Sequence, residues 1–453
     1  MLVDNVQKPQ GKIGLISLGC AKNLVDSENL LGLLRERGFQ IATAIQEAEI
    51  GIINTCGFIQ SAVQETIDTI LEIAALKKEG HLKKLVVIGC FVQRYGYRLA
   101  KEIEEVDVWL GTGQIEQVME FLDSKPRKQP AFLIKKPNYL ADHNTPRLQT
   151  TPFYSAYLKI ADGCSNKCTY CMIPRLTGPY RSRQLESLVT EAQQMAAAGV
   201  RELNLVAQDS TAYGQDLKKS TGLEWLLEKL IAIPDLEWIR VLYNNPNRIS
   251  DRLLEMINSE NKICPYLDIP LQHVNPEILK RMGRPMDGPS PRKLIEKIRT
   301  LPKRISIRTI FIIGFPGETD SVFDELLNFI KWAEFDHLGT FLYSPEKGTR
   351  AARFKDLIDP KKAKKRLKTV MQMQSEISLK KNRQRIGEVI PVLVEGASPE
   401  TDLLLEGRTA GMAPDVDTRV LINKGQGKIG EIVPVRITEA YPYDLIGEIL
   451  NPL

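Results

Sequence analysis

Three cysteines fall within eight residues in DGCSNKCTYCMIP, residues 162–174, at the spacing Cys164-x3-Cys168-x2-Cys171. Thiols gathered this closely point to metal. A structural zinc site is normally closed by a fourth Cys or His. The nearest downstream, Cys264 and His273, fall on a different expected strand. Three thiolates suit an iron–sulfur cluster that leaves one iron open to a ligand. Cys264, before Pro265 at a strand start, reads as packing.

A second set is scattered along the first hundred residues: Cys20 in SLGCAKN, Cys56 in NTCGF and Cys90 in IGCFVQ. Taken singly, each reads as a small buried hydrophobe. Their positions suggest something else. Each directly follows an apolar run, hence stands at the carboxyl end of an expected parallel strand, the edge where open α/β sheets bind ligands. Gly19, Gly57 and Gly89 adjoin them and let backbone approach a ligand closely. Three thiols on one edge fit a second three-thiolate cluster, and both readings stand at this point.

The elements that must position these thiols are alternating strands and helices. Over residues 11–124, KIGLISLG precedes an expected amphipathic helix in DSENLLGLLRERG; EIGIINT, KKLVVIG and DVWLGTG each precede a further helical pattern, with YRLAKEIEEV after the third strand. Such alternation implies an open parallel α/β sheet. Residues 125–150, rich in Pro and Lys, read as a linker with room for one extended strand. Residues 151–385 repeat the alternation through six apolar strands, SAYLKIA, ELNLVAQ, WIRVLY, YLDIPLQ, SIRTIFIIGF and LGTFLYS, then end in a basic helix. Six βα units suggest a partial (βα)6 barrel with its chemistry at the carboxyl ends of the strands. Residues 386–453 change to short β-rich runs broken by Gly, Pro and Asp, the pattern of a small antiparallel β-barrel.

At 453 residues the chain has length for about three domains at roughly 150 residues each. Its 43% hydrophobic and 26% charged content is that of a globular protein. The start, MLVDNVQKPQGKIG, lacks the basic and apolar regions of a leader, and apolar runs such as LVVIGCFV are too short to span a bilayer. A cytoplasmic protein with no membrane contact is expected, with its seven cysteines reduced and available to metal. Net charge of +5 is too small to imply nucleic-acid binding by itself.

An open iron can be chelated by the amino and carboxylate groups of S-adenosylmethionine, and an electron then splits the sulfonium. The three-cysteine spacing, with Tyr170 before the last Cys, resembles the radical-SAM signature. GCAKNLVDSE, NTCGFI, GCFVQRY, DGCSNKCTYCMIP, PLQH, GFPGET and YSPEKGTRA together resemble the methylthiotransferases over nearly the whole chain, and the C-terminal segment resembles a TRAM domain. Lys22 after the first cysteine, GCFVQRY and YPYDLIGEI are similar to the RimO branch, which thiomethylates the β-carbon of an aspartate in a small-subunit ribosomal protein, the twelfth of the S series. The other branch modifies an adenosine of tRNA. A non-catalytic iron–sulfur factor that binds ribosomes or RNA is the reading from a different class.

The resemblance implies two 4Fe-4S clusters, on Cys20, Cys56 and Cys90 and on Cys164, Cys168 and Cys171, with S-adenosylmethionine as methyl donor and radical source. It also implies a reductant protein and a dry cavity between the domains. No catalytic residue beyond the clusters is assigned. Gln208 falls where such barrels contact the methionine moiety, or is a strand cap. Gly314 and Gly317 allow close approach of the adenosyl group, or form a Gly-Pro turn. Gln272 and His273 line the cavity, or His273 is a hydrogen-bonded structural residue. Thr177 stands before Gly178 where the family commonly has Arg, leaving Arg175 or Arg181 to compensate. The runs KPRKQ and KKAKKRLK read as solvated faces, with RNA contact as the alternative. Residues 386–453 carry five basic against eleven acidic side chains, a net of −6. That balance argues against direct nucleic-acid binding by this segment and for attraction of a basic ribosomal protein.

Overall fold

The structure, a computed structural model, describes residues 11–99, 102–122, 129–217, 221–285 and 290–450. Residues 1–10 of the leader reading and most of KPRKQ lie outside these ranges.

The first unit runs β1 (Lys12–Ser17), α1 (Ala21–Glu36), β2 (Gln40–Ile41), β3 (Ile50–Thr55), α2 (Gln60–Lys78), β4 (Lys84–Gly89), α3 (Cys90–Leu99), β5 (Val108–Leu110), α4 (Val118–Leu122) and β6 (Ala131–Leu133). All pairings are parallel, in the order β2-β1-β3-β4-β5-β6. The β-branched strands IGIINT and KLVVIG are buried on both faces, as parallel sheets covered by helices require. β6, from the Pro- and Lys-rich stretch, forms one edge of the sheet.

Two helices differ from the sequence reading. α1 is not amphipathic: no position from 21 to 34 is exposed, and Lys22 and Glu28 are buried with its leucines. The reason is tertiary, because a second domain covers the face a surface helix would give to water. α3 begins at Cys90 rather than at Tyr97, so this cysteine opens a helix.

The central unit contains β7 (Ser155–Lys159), β8 (Ala161–Asp162), α5 (Ile173–Thr177), β9 (Arg181–Ser182), α6 (Leu185–Ala197), β10 (Glu202–Val206), α7 (Leu223–Ile231), β11 (Trp238–Val241), α8 (Asp251–Ser259) and β12 (Tyr266–Asp268). It continues with α9 (Pro276–Arg281), α10 (Pro291–Arg299), β13 (Ser306–Ile313), α11 (Asp320–Ala333), β14 (His337–Leu342) and α12 (Pro360–Arg383). Two parallel sheets, β7-β10-β11 and β12-β13-β14, are linked by the bridge Ile239↔Ile263. The six strands make the expected incomplete barrel.

The last unit is a closed barrel, β15 (Val389–Ser398), β16 (Thr401–Thr409), β17 (Arg419–Lys424), β19 (Asp444–Ile449) and β18 (Ile432–Ala440) in spatial order. Its pairings are antiparallel except β17–β19, which is parallel. The segment 410–417 of this barrel reaches the larger one. Tyr157 and Tyr266 donate to Asp415 and Asp417 at 2.9 and 2.7 Å. Arg308 lies 3.2 Å from Asp417, and Arg240 donates to the Ala410 carbonyl at 2.7 Å. Arg408 binds Glu202 at 2.7 Å, both side chains nearly fully buried. Burial opposes ionisation of Glu202, but Arg408 and Arg240 hold its carboxyl well below the usual range. This corrects the charge reading: Asp415, Asp417 and Glu395 engage the central barrel or Arg408, so the −6 does not form one open acidic face.

Candidate active site

Cys20 and Cys56 stand in the loops after β1 and β3, and Cys90 opens α3 directly after β4, three neighbouring strands of the sheet. Cys20 is the N-cap residue of α1. Gly19 has φ +98°, and a Cβ there would stand 2.8 Å from Cys56 Cβ and 3.1 Å from its sulfur. Only glycine lets these two loops meet. Burial, with the thiols of Cys20 and Cys56 adding to it, pushes Cys90 up to about 12. Thr112 Oγ1, after β5, points at the Cys90 sulfur from 3.8 Å.

The other three thiols occupy the loop after β8. Burial pushes Cys171 up to about 12, while the Ile173 N–H, 3.4 Å from its sulfur, works the other way. Cys164 is pushed up by burial too. Arg284 reaches within 3.9 Å of Cys168 Sγ and donates to the Pro270 carbonyl at 3.0 Å. Nothing in the sequence singled out Arg284. All six cysteines are free thiols. Among the described residues no three Cys, His, Asp or Glu side chains are gathered tightly enough to clasp a single ion. A cluster places its thiolates on separate irons rather than on one shared ion. Converging free thiols with N–H, O–H and guanidinium groups directed at their sulfurs fit cluster ligation.

The two thiol sets belong to sheets whose carboxyl edges face each other. Lys22, two residues past Cys20, lies with its ammonium 3.6 Å from the centre of the Tyr243 ring beyond β11. Burial works against that charge, but Tyr243 and Cys20 beside it hold the ammonium above its ordinary range. Asp26 accepts from Lys159, at the end of β7, at 2.7 and 2.9 Å, and Lys159 also bonds Asp162, two residues before Cys164. Arg94, one turn beyond Cys90, pairs with Glu346 in the loop after β14 at 2.7 Å and donates to Gly57 O beside Cys56. Glu28 is the most enclosed link. Its carboxylate accepts from Arg147 Nε and Nη2, Thr150 N and Oγ1, and Thr151 N, at 2.5–3.3 Å. Arg147 and Arg183 both pair with Glu191 of α6, so the segment before β7 clamps α1 onto the barrel.

The remaining sequence candidates separate clearly. Tyr170 packs edge-on against Phe315, and burial beside Cys168 pushes its phenol well up. Gln208 and Gln272 stand half-buried at strand ends, with no side-chain hydrogen bond among the described residues. Gln272 has φ +70° while its backbone continues the β13 pairing. Gly314 and Gly317 form the turn: a Cβ on Gly314 would lie 2.7 Å from Ala363 of α12, and one on Gly317 2.7 Å from Arg281. In each case the absent Cβ would meet protein. His273 is fully buried, accepts from Asn275 N at 3.0 Å and is lowered to about 4 by burial, which makes it structural. Thr177 donates back to Ile173 O within α5, and Arg181 donates to Pro137 O and Thr177 O. Cys264 packs in a buried apolar cluster.

A polar cleft of about 220 Å³ beside the Cys164–Cys168 loop went unread in the sequence. Asn166, Tyr180, Asp209 and Arg248 line it. Buried Asp209 accepts from Asn166, Asn245 and Arg248 at 2.6–3.1 Å.

Residues 12–111 match the uncharacterized protein family UPF0004, residues 158–330 the radical SAM superfamily and residues 386–450 the TRAM domain. The radical S-adenosylmethionine methyltransferase TsrM from Kitasatospora setae shares the fold at 12% identity and a TM-score of 0.55, over 87% of this chain and 82% of that one. The ribosomal protein uS12 methylthiotransferase RimO of Syntrophotalea carbinolica is 47% identical over 99% of this chain and 98% of its own. That of Geobacter sulfurreducens is 47% identical over 97% and 99%. At such identity across both full lengths, the chain belongs to the RimO family of uS12 methylthiotransferases.

Proposed function

We propose that this enzyme adds a methylthio group to the β-carbon of an aspartate in ribosomal protein uS12, with S-adenosylmethionine and two 4Fe-4S clusters as cofactors. The observation that carries the reading is two sets of three free thiols at the carboxyl edges of two sheets that face each other. When bound, a cluster on Cys164, Cys168 and Cys171 supplies the electron that cleaves S-adenosylmethionine, and one on Cys20, Cys56 and Cys90 supplies a seat for the transferred sulfur.

The chain's own groups have definite parts in this reading. Arg284 and the Ile173 N–H stabilise negative charge on the Cys168 and Cys171 sulfurs, as Thr112 does at Cys90. Lys22 places a buried positive charge beside Cys20. Tyr170 and Phe315 screen the Cys168 side from water. Gln208 and Gln272 have side chains free to meet S-adenosylmethionine, and Arg248, Asn166 and Tyr180 offer polar contacts in the adjoining cleft. The Glu28–Arg147 and Arg94–Glu346 pairs fix the two edges in register. Fixed geometry keeps a reactive carbon near its partner and away from solvent.

Among the described residues no helix is long and apolar enough to cross a membrane. A ribosomal substrate and reduced thiols fit the cytoplasm, with a one-electron reductant protein as partner. The test is mass spectrometry of uS12 and of tRNA from cells with and without this protein. A methylthio increment on uS12 aspartate that depends on the protein is expected. An increment on tRNA adenosine alone would move the chain to the other branch.

A further inference from the structure

The cations around the mouth of the central barrel have a distribution that cluster chemistry does not explain. Lys361, Lys364, Lys365 and Lys368 fall at i, i+3, i+4 and i+7 of α12, so they share one face. All four are exposed, while Ala363, Arg366 and Val370 on the other side are buried. The loop that leads into α12 adds Lys347, Arg350, Arg353 and Lys355, also exposed. Among the described residues none of these eight side chains has a carboxylate or hydrogen-bond partner.

Every acid in the same stretch is already engaged. Glu346 pairs with Arg94, Asp356 with Arg281, and Asp359 caps α12 by accepting from Lys362 N. Asp320, from α11, is held by Lys362 and Arg366. The positive charge is therefore unbalanced locally. It is also placed at the active edge. Ala351 N donates to Thr169 O, between Cys168 and Tyr170, at 2.9 Å, and Ala363 packs on Gly314 at the end of β13. From there the α12 stripe runs for about 10 Å along the flank, at 1.5 Å per residue.

Ribosomal proteins are typically basic, and a basic rim at the mouth would repel one presented alone. The same rim fits the phosphates of the RNA on which such a protein is mounted. We propose that the strip 347–368 binds the phosphate backbone of ribosomal RNA, so that the enzyme takes uS12 in its RNA-bound setting rather than as a free chain. This rests on the reading that uS12 is the substrate.

The test compares the full-length enzyme with K361Q/K364Q/K365Q/K368Q, whose changes are confined to an exposed face. Binding to purified small ribosomal subunits is measured from 50 to 200 mM salt, without turnover. Methylthiolation of a short uS12 peptide is measured in parallel with dithionite as reductant. The variant should bind subunits at least about tenfold more weakly at the low-salt end, with a salt slope shallower by about 3, at roughly 0.7–0.9 for each phosphate no longer neutralised. Its peptide activity should match wild type. Equal affinity and equal slope for the two proteins would overturn the proposal. So would unchanged subunit binding with activity lost only when an acidic flavoprotein supplies the electrons, since the strip would then dock a protein. A wild-type enzyme that modifies neither peptide nor subunit refutes the substrate reading separately, because subunit binding is scored without catalysis.

Discussion

Truncation of Glu28 to Ala isolates the clamp that sets Cys20 over the barrel. The carboxylate is fully buried, and its loss leaves Arg147, with a side chain 10% exposed, with Glu191 and the Tyr157 carbonyl but without its nearest carboxylate, and orphans the Thr150 N–H and hydroxyl and the Thr151 N–H. Breaking one partner of a buried pair costs about 3–5 kcal/mol, and each orphaned neutral donor about 1–3 kcal/mol unless water reaches it. Because Glu191 still faces Arg147, the low end applies, and local opening of α1 from the segment 146–151 becomes easier by about 3 kcal/mol. At 1.4 kcal/mol per decade that is roughly 100-fold in amide exchange. Hydrogen–deuterium exchange of peptides covering 21–36 and 146–151 reads this directly, with the Leu148 N–H to Glu28 O bond as reporter. The double change Glu28→Leu/Arg147→Met should recover most of the protection, because apolar pairs replace buried ion pairs at little cost. Exchange within threefold of wild type in Glu28→Ala would refute the reasoning, since the clamp would then contribute nothing to docking.

Three further outcomes are expected. Anaerobically reconstituted wild type should hold about eight irons, and changing either Cys20, Cys56 and Cys90 or Cys164, Cys168 and Cys171 to Ala should leave about four by iron analysis; only the first variant should still release 5′-deoxyadenosine. Gly314→Ala should destabilise the central barrel by about 1–3 kcal/mol in thermal unfolding, because φ +76° and a Cβ 2.7 Å from Ala363 make it strained and overpacked. His273, lowered to about 4 by burial, binds its proton more readily unfolded than folded. Its contribution is complete above pH 6.5 and is lost as pH falls through about 4, since Arg366 and the Gly314 N–H already engage both Glu318 oxygens. Apo-protein denaturation should show this acid sensitivity in wild type and a flatter profile in His273→Gln.

The two cysteine sets were legible because residue type and spacing survive in the linear chain, and the structure brings the thiols of each set near one another. The strand ends were legible for the same reason, since β-branched runs such as KLVVIG have one stable use in a parallel sheet. The roles of charged residues were not. Lys22 and Glu28 sit in a helix whose sequence looks like a surface helix, and only the covering domain makes them interior. Arg94 and Glu346 are 252 positions apart, so no local pattern marks them as a pair. Gly314 and Gly317 show a further limit: the turn motif does not reveal that Ala363 of α12 packs on Gly314 while Arg281 and Asp356 stand at Gly317.

The segment 410–417 has a consequence for how this protein divides into modules. It supplies counter-charge to Arg308, a carboxylate acceptor to Tyr266 and a carbonyl to Arg240, whose other partner is Glu202 of the central barrel. A chain cut near residue 385 would therefore strip Arg308, Tyr266 and Arg240 of these partners, and Glu202 would keep Arg240 but lose Arg408. The small barrel acts as the floor of the large one, and exchange of either between relatives has to carry its counterpart. Fusion or truncation designs that treat the C-terminal segment as a detachable binding arm would remove part of the enzyme's own interior.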